Sequence, residues 1–339
     1  MTAGHVADRH RTSRRDPDAI ERLKGQFPDF RDLPYTPFRS DLYTVDDLYE
    51  GFDADRPSSY EDTPDAVVYR HWLDTGGAQG CSVVESLARR IHDHSITEAI
   101  EDFIEGREVV AIMGGHGLRR DDPGYRAVTS VSRALARTGK LMVSGGGPGA
   151  MEATHVGAWM ARRTDDDLDV AIGILGAAPT YEPAGEWLAS AFEVRERFPR
   201  PDDANGSHHG AGHDPEVSLG IPTWLYGHEP PNAFATHIAK YFANAIREDG
   251  LLTIARHGVV FTPGSAGTVQ EIFQDATQNH YETVGPPSPM VFFGVDYWTS
   301  DLPVLPLIRR LGRGKPWLDE ILVTDEESEA VDFIESHRR

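Results

Sequence analysis

Thr268 and Glu271, three positions apart, carry the chemistry that the sequence offers most directly. They follow an apolar run, Val259-Val260-Phe261, and a turn of mostly small residues, Thr262-Pro263-Gly264-Ser265-Ala266-Gly267. The order reads as a buried strand, a glycine-punctuated turn and a helix start. Such a junction aims free backbone N–H groups and the positive end of a helix dipole at one point, which suits a phosphate. A carboxylate one turn into the helix then lies beside whatever the phosphate is attached to. The same Thr-x-x-Glu spacing is also a capping box, which any helix start uses without chemistry. The two uses conflict, because a carboxylate folded back on the helix start is not free to act on water.

The junction occurs a second time. Lys140–Ser144 is a short run ending in Gly145-Gly146-Gly147-Pro148-Gly149, and Ala150-Met151-Glu152 opens a helix expected to reach about Arg162. A third glycine cluster, Gly114-Gly115-His116-Gly117, closes Glu108–Met113, a continuous apolar run of the kind found in strands covered on both faces. Between them, Tyr125–Arg137 carries Val128, Val131, Ala134 and Leu135 on one helical face, and Gly139 closes that helix. Asp169–Leu175 is expected as a third strand. This β-α-β-α-β order implies an α/β fold, a Rossmann-like, doubly wound, mostly parallel sheet flanked by helices. Such sheets bind ligands in the crevice beyond the carboxyl ends of their strands. Gly114–Gly117 does not match G-x-G-x-x-G and no acidic residue closes the second strand, so a nicotinamide oxidoreductase is set aside.

The remaining elements must frame that crevice. Val83–Ile91 and Ile96–Ile104 have helical spacing and are expected as two helices before the first strand. Asn232–Arg247 is expected as a helix capped by Asn232, with Phe234, Ile238, Tyr241 and Phe242 on one side. Met290–Gly294 and Ile321–Thr324 are expected strands, Asp301–Leu311 and Asp325–His337 helices. Asp41–Phe52 offers a short amphipathic helix with Leu42, Val45, Leu48 and Tyr49 on one face. Residues 1–78 form a partly ordered arm laid over the main domain or a partner subunit. Residues 79–339 form one domain, with a loop insertion at about 196–216. That loop contains His208, His209 and His213, but adjacent histidines on a flexible segment without completing ligands point to a solvated loop, so no metal site is expected.

A chain that is 39% hydrophobic and 26% charged has the composition of a soluble globular protein. Cys81 stands alone, which excludes an internal disulfide and suits a reducing cytoplasm. The first fifteen residues lack an apolar core, so no secretory signal is expected, and no apolar run is long enough to cross a bilayer. A formal charge of −21 argues against a nucleic-acid polymer or an anionic membrane as partner. A small phosphorylated ligand needs only local donors.

Taken together, GGGPGAME at Gly145–Glu152 and PGSAGTVQE at Pro263–Glu271 resemble the paired GGGxxGxM and PGGxGTxxE motifs of the LOG (lonely guy) family, formerly labelled lysine decarboxylases. Glu229-Pro230-Pro231-Asn232 is similar to an element of that family's bacterial purine/pyrimidine-nucleotide 5′-monophosphate nucleosidases. The resemblance spans roughly Glu108 to Gly294 and excludes the arm and the histidine loop. It implies a homodimer, or a higher homo-oligomer, that hydrolyses the N-glycosidic bond of a nucleoside 5′-monophosphate to free base and ribose 5-phosphate, without a cofactor. Glu271 would stabilise the ribosyl cation and orient or deprotonate water. The N–H groups of Gly145, Gly146, Gly147, Gly149 and Gly267, with the Thr268 hydroxyl, would hold the phosphate. Gly264, Ser265, Gly114, Gly115, Glu229 and Asn232 complete the expected substrate site, and His116 is a loop histidine at its edge.

Two departures from the family pattern bear on turnover. Ser265 stands where the family has glycine, and the family's catalytic arginine falls by spacing on Glu248. Arg247 serves after a shift of one residue, and Arg256 is the second option. Arg247 also suits a plain helix-terminal cation. The alternatives are a nucleotide-binding sensor that kept the cradle and lost turnover, and a cytokinin riboside monophosphate phosphoribohydrolase.

Overall fold

A computed structural model describes residues 28–200 and 214–337 of the chain. The histidines at 208, 209 and 213 and the first part of the arm lie outside the described residues. The strands are β1 Glu108–Met113, β2 Lys140–Ser144, β3 Ser218–Gly220, β4 His237–Ile238, β5 Val259–Phe261, β6 Met290–Phe293 and β7 Ile321–Thr324. They form one parallel sheet in the order β4-β3-β2-β1-β5-β6-β7. The chain therefore builds outward from β1 to β4, returns beside β1 at β5, and builds outward the other way. Right-handed crossovers send the helices of the two halves to opposite faces, which makes the sheet doubly wound.

The helices are α1 Val45–Leu48, α2 Pro64–Asp74, α3 Val83–Ile104, α4 Pro123–Arg137, α5 Ala150–Trp159, α6 Asp165–Leu175, α7 Ala184–Arg197, α8 Asn244–Ile254, α9 Ala266–Tyr281, α10 Leu305–Leu311 and α11 Glu327–Ser336. α4 packs on α5 and on α11, while α8 packs on α9. β1, β2, β5 and β6 are buried almost throughout, as strands covered on both faces must be.

Three expectations are corrected. Asp169–Leu175 belongs to α6. Thr164 and Asp167 form a reciprocal capping box and three aspartates fill its first turn, so the helix start is strongly specified. Its buried residues, Leu168, Ala171 and Leu175, keep helical spacing. Val83–Ile104 is one helix rather than two, continuous through His92 and Asp93. Asn232–Tyr241 is not a helix. Ala233, Phe234, Ala235, Ile238, Ala239, Lys240 and Tyr241 are all buried, which leaves no solvent face for an amphipathic helix, and the segment runs extended into β4. The helix begins only at Asn244.

Residues 28–79 pack on the sheet domain. Tyr43 bridges Ile238 in antiparallel fashion, extending past β4, and the Tyr49 hydroxyl donates to the Pro231 carbonyl. Asp65 of α2 pairs with Lys240, both fully buried, and accepts from the Trp224 indole at 3.2 Å. Leu42, Val45, Leu48 and Tyr49 are buried together, although the helical part is only α1.

Glu152, the acid of the first glycine motif, is wholly buried in a structural clamp. Arg120 Nε donates to it at 2.8 Å and the Tyr125 hydroxyl at 2.9 Å. Arg120 Nη2 also donates to Glu152, and Nη1 donates to the Ala178 and Trp187 carbonyls and Ser190 Oγ. Removing one partner of such a pair leaves an uncompensated buried charge and costs about 3–5 kcal/mol. Glu152→Ala is therefore expected to lower the urea midpoint of unfolding by a loss of that order, and an unchanged midpoint would contradict the clamp.

Candidate active site

Three glycine turns meet at the carboxyl ends of β1, β2 and β5, where the strand order reverses. Hydrogen bonds stitch them together. The Gly115 N–H donates to the Pro263 carbonyl at 3.1 Å, and the Ala150 N–H donates to the Gly115 carbonyl at 3.1 Å. Gly149 has φ +69°, and a Cβ there would stand 2.5 Å from the Gly115 and His116 carbonyl oxygens. Only glycine satisfies both conditions. Gly114 is pressed against Thr262 and Ala150, and Gly264 against Thr268 and the Gly115 N–H. The Tyr297 hydroxyl holds the Gly264 carbonyl.

The β2 turn is supported from beneath. Ser144 Oγ accepts the Gly146 N–H at 3.1 Å, donates to the Met151 carbonyl at 3.1 Å, and meets His155 Nε2 at 2.8 Å. With the Ser144 proton committed to Met151, His155 must donate through Nε2 and accept from Ser218 Oγ through Nδ1. Burial holds His155 neutral, pushing its pKa down to about 3. Asn232 grips the same turn from above. Its backbone N–H and Nδ2 both donate to the Gly146 carbonyl at 2.9 Å, while Oδ1 accepts from Phe234 and Ala235. Asn232 is thus a fully buried brace of the turn, neither the expected helix cap nor a group facing the crevice.

This geometry redistributes the donors expected to hold a phosphate. The Gly146 N–H is spent on Ser144, whereas those of Gly147 and Gly149 have no hydrogen bond within the described residues. At α9 the helix starts at Ala266 without a side-chain cap, so the N–H groups of Ala266, Gly267 and Thr268 likewise have no partner among the described residues. They are the unsatisfied donors of a helix N-terminus. Thr268 is buried, and its hydroxyl lies against Gly264. Ser265 has φ −111°, a value open to any residue, so serine enters this turn without backbone strain.

The capping box expected from Thr268-x-x-Glu271 does not form, because Thr268 lies inside the helix and Ser265 is the cap position. Glu271 instead approaches Arg247, with Oε1 3.9 Å from Nη1 and 14% of its side chain exposed. That is an ion pair too long for a hydrogen bond, so the carboxylate keeps lone pairs for a water or a substrate. Burial pushes the Glu271 carboxyl up to about 7, with Arg247 pulling it down and Glu248 adding to the rise.

Arg247 is fixed from several sides. Its Nε donates to the Ile221 carbonyl at 2.7 Å and Nη2 reaches the Gly145 carbonyl at 3.4 Å. A Cβ on Gly145 would overlap that guanidinium, so the glycine is what lets the arginine lie on the turn. Asp93, from the middle of α3, accepts from the Phe242 and Ala243 N–H groups, each at 2.9 Å, and so sets the entry into α8. Behind Asp93, His92 Nδ1 lies 3.2 Å away, and His92 Nε2 meets the Tyr43 hydroxyl at 2.8 Å. Glu248 ties α8 to α9 through Gln270 at 2.8 Å. Arg256 is exposed, and among the described residues its side chain bonds only the Thr253 carbonyl of its own helix end. Asp93, Ser144 and His155 carried no motif in the sequence. Asp93 and His155 find partners more than sixty residues away, at Phe242 and Ala243 and at Ser218, and nothing local marks them.

Gly147 is overlooked by Glu229, whose Oε1 lies 3.2 Å from His116 Nδ1. Among the described residues no cluster of three or more His, Cys, Asp or Glu is arranged to hold a metal ion, and no helix is long and apolar enough to cross a membrane.

No protein-family model matches the chain, and no curated protein matches it in sequence. Among solved structures, the molybdenum cofactor binding protein from the phototrophic bacterium Rippkaea orientalis is similar at a TM-score of 0.38 and 14% identity, over 68% of this chain and 96% of that one. A likeness at that level carries no argument about ligand or chemistry. The fold stands on the sheet itself.

Asp275, one turn beyond Glu271, is fully buried with Oδ2 unpartnered among the described residues, and burial pushes its carboxyl up to about 8. Both carboxyls are raised above their unfolded values. Each therefore favours the folded state when protonated, fully so below about pH 4. That contribution is lost as pH rises through about 7 for Glu271 and about 8 for Asp275. The urea midpoint should fall between about pH 4 and about pH 8, and Asp275→Asn should flatten the fall. An Asp275→Asn variant with an unchanged pH slope would contradict the burial of that charge.

Proposed function

We propose that the protein hydrolyses the N-glycosidic bond of nucleoside 5′-monophosphates, releasing free base and ribose 5-phosphate, as the LOG-like motif pair implies. The observation that carries the reading is Glu271, a mostly buried carboxyl raised to about 7 and held beside Arg247 at the start of a helix with free N–H groups. The amides of Ala266, Gly267 and Thr268 bind the 5′-phosphate and fix its distance from Glu271. As the C1′–N bond breaks, positive charge grows on the ribose, and the Glu271 carboxylate stabilises it while taking a proton from the attacking water. Arg247 keeps that carboxylate in place and is available to a ribose hydroxyl. The reaction needs no cofactor. We further propose that the protein works in the cytoplasm as a homodimer or higher homo-oligomer, on the grounds of its single cysteine and the family resemblance.

Purified protein incubated with AMP, GMP, CMP, UMP and IMP should release free base and ribose 5-phosphate from at least one of them. A cytokinin riboside monophosphate in the same assay separates the activating reaction from salvage. Since the carboxylate form is the active one, kcat should rise as pH passes about 7. Glu271→Gln should retain nucleotide binding and lose about 10²-fold or more in kcat. Nucleotide binding with no turnover of any substrate by the wild type would instead identify a sensor.

A further inference from the structure

Gly145 and Gly147 are two residues apart in one turn, and each lies under a different acid–base pair. Over Gly145 is Arg247 with Glu271. Over Gly147 is Glu229, whose Oε2 lies 3.8 Å from the position a Cβ would take, with His116 at 3.2 Å from its Oε1. We propose that His116 is the general acid that protonates the departing base, and that Glu229 is its positioning residue. This role rests on the nucleosidase reading and assigns the half of the reaction that Glu271 cannot perform.

An exposed His–Glu contact is commonly a surface ion pair of little consequence. Here the surroundings differ. The Glu229 side chain is 14% exposed, while the His116 side chain is 49% exposed. The Glu229 backbone N–H donates to the Tyr226 carbonyl at 2.8 Å, and three residues on Asn232 is pinned to Gly146, so the carboxylate sits on a braced segment. His116 is braced as well, since its carbonyl packs on Gly149 and its ring stands edge-on to Tyr181 at 6.1 Å. His228 Nε2 is 3.9 Å from the same Glu229 oxygen. With Nδ1 committed to Glu229, Nε2 on the far side of the ring is left for a ligand. A nucleotide laid across the turn with its anomeric carbon at Glu271 carries its base toward this second pair.

The step balances. The C1′–N bond breaks, its electron pair moves to the base, and the Nε2 proton of the His116 imidazolium passes to a ring nitrogen of that base. The water oxygen bonds to C1′ and its proton passes to Glu271. His116 then regains a proton from solvent and Glu271 returns one.

An activated leaving group tests this, because it departs without a proton. The full-length wild type, His116→Gln and Glu229→Gln are assayed on the best natural monophosphate and on two activated substrates, 7-methylguanosine 5′-monophosphate and 4-nitrophenyl riboside 5-phosphate. His116→Gln should lower kcat on the natural nucleotide by about 10²-fold and far less on the activated substrates, so that the ratio of the two kcat values shifts by about 10²-fold. Glu229→Gln should shift the ratio in the same direction. Equal losses on both kinds of substrate, no loss on either, or a wild type that gains nothing from an activated base overturns the role and leaves the nucleosidase reading standing. A wild type that cleaves no substrate overturns that reading, and this role with it.

Discussion

The contact on which the rest of the site depends is the approach of the Arg247 guanidinium to the backbone of the β2 turn. It requires a glycine at 145, because a Cβ there would occupy the space of the guanidinium. It also requires the turn to be rigid, since Arg247 bonds the Ile221 and Gly145 carbonyls rather than side chains that could follow it. The result is a cation fixed beside Glu271. Removing a carboxylate from water raises its pKa, and a nearby cation opposes that rise. The balance here leaves Glu271 at about 7, ionisable at neutral pH without being locked in a tight salt bridge.

That contact is paid for by structure far from it. The entry into α8 is set by Asp93, Asp93 is backed by His92, and His92 meets Tyr43 from the arm. The Asp65–Lys240 pair and the Tyr43–Ile238 bridge fasten the same arm to the segment that leads from β4 into α8. Residues 28–79 thus have a physical connection to Arg247. On the other side, the Arg120–Glu152 clamp fixes the start of α5, while His155 and Ser144 fix the Gly146 amide.

Much of the fold was legible in the sequence because it depends on local pattern. β1, β2, β5, β6 and β7 are apolar runs closed by turn residues, and the glycine clusters after β1, β2 and β5 mark the crevice. β3 and β4 were not legible, since three and two residues are too few to show a period. Asp169–Leu175 misled because its apolar residues fit a strand, while the signal that decides it, the Thr164–Asp167 box, lies upstream. Asn232–Tyr241 misled because helical spacing was visible and burial on every side was not. At the site, Glu271 and Arg247 came from a motif and a spacing, and the structure brings them together. The Asn232 side chain depends on Gly146, a partner distant in sequence that no local pattern encodes, whereas the Gly146 amide is taken by a serine two residues back that no motif singles out.

The proposed reaction requires that a phosphate held at the glycine turns deliver an anomeric carbon to Glu271. A crystal structure of the Glu271→Gln variant with AMP tests it most directly. The 5′-phosphate should lie on the N–H groups of Ala266, Gly267 and Thr268, the C1′ atom should face residue 271 with room for one water, and Arg247 should still be on the Gly145 carbonyl. A phosphate bound elsewhere, or a ribose whose C1′ faces away from residue 271, would contradict it.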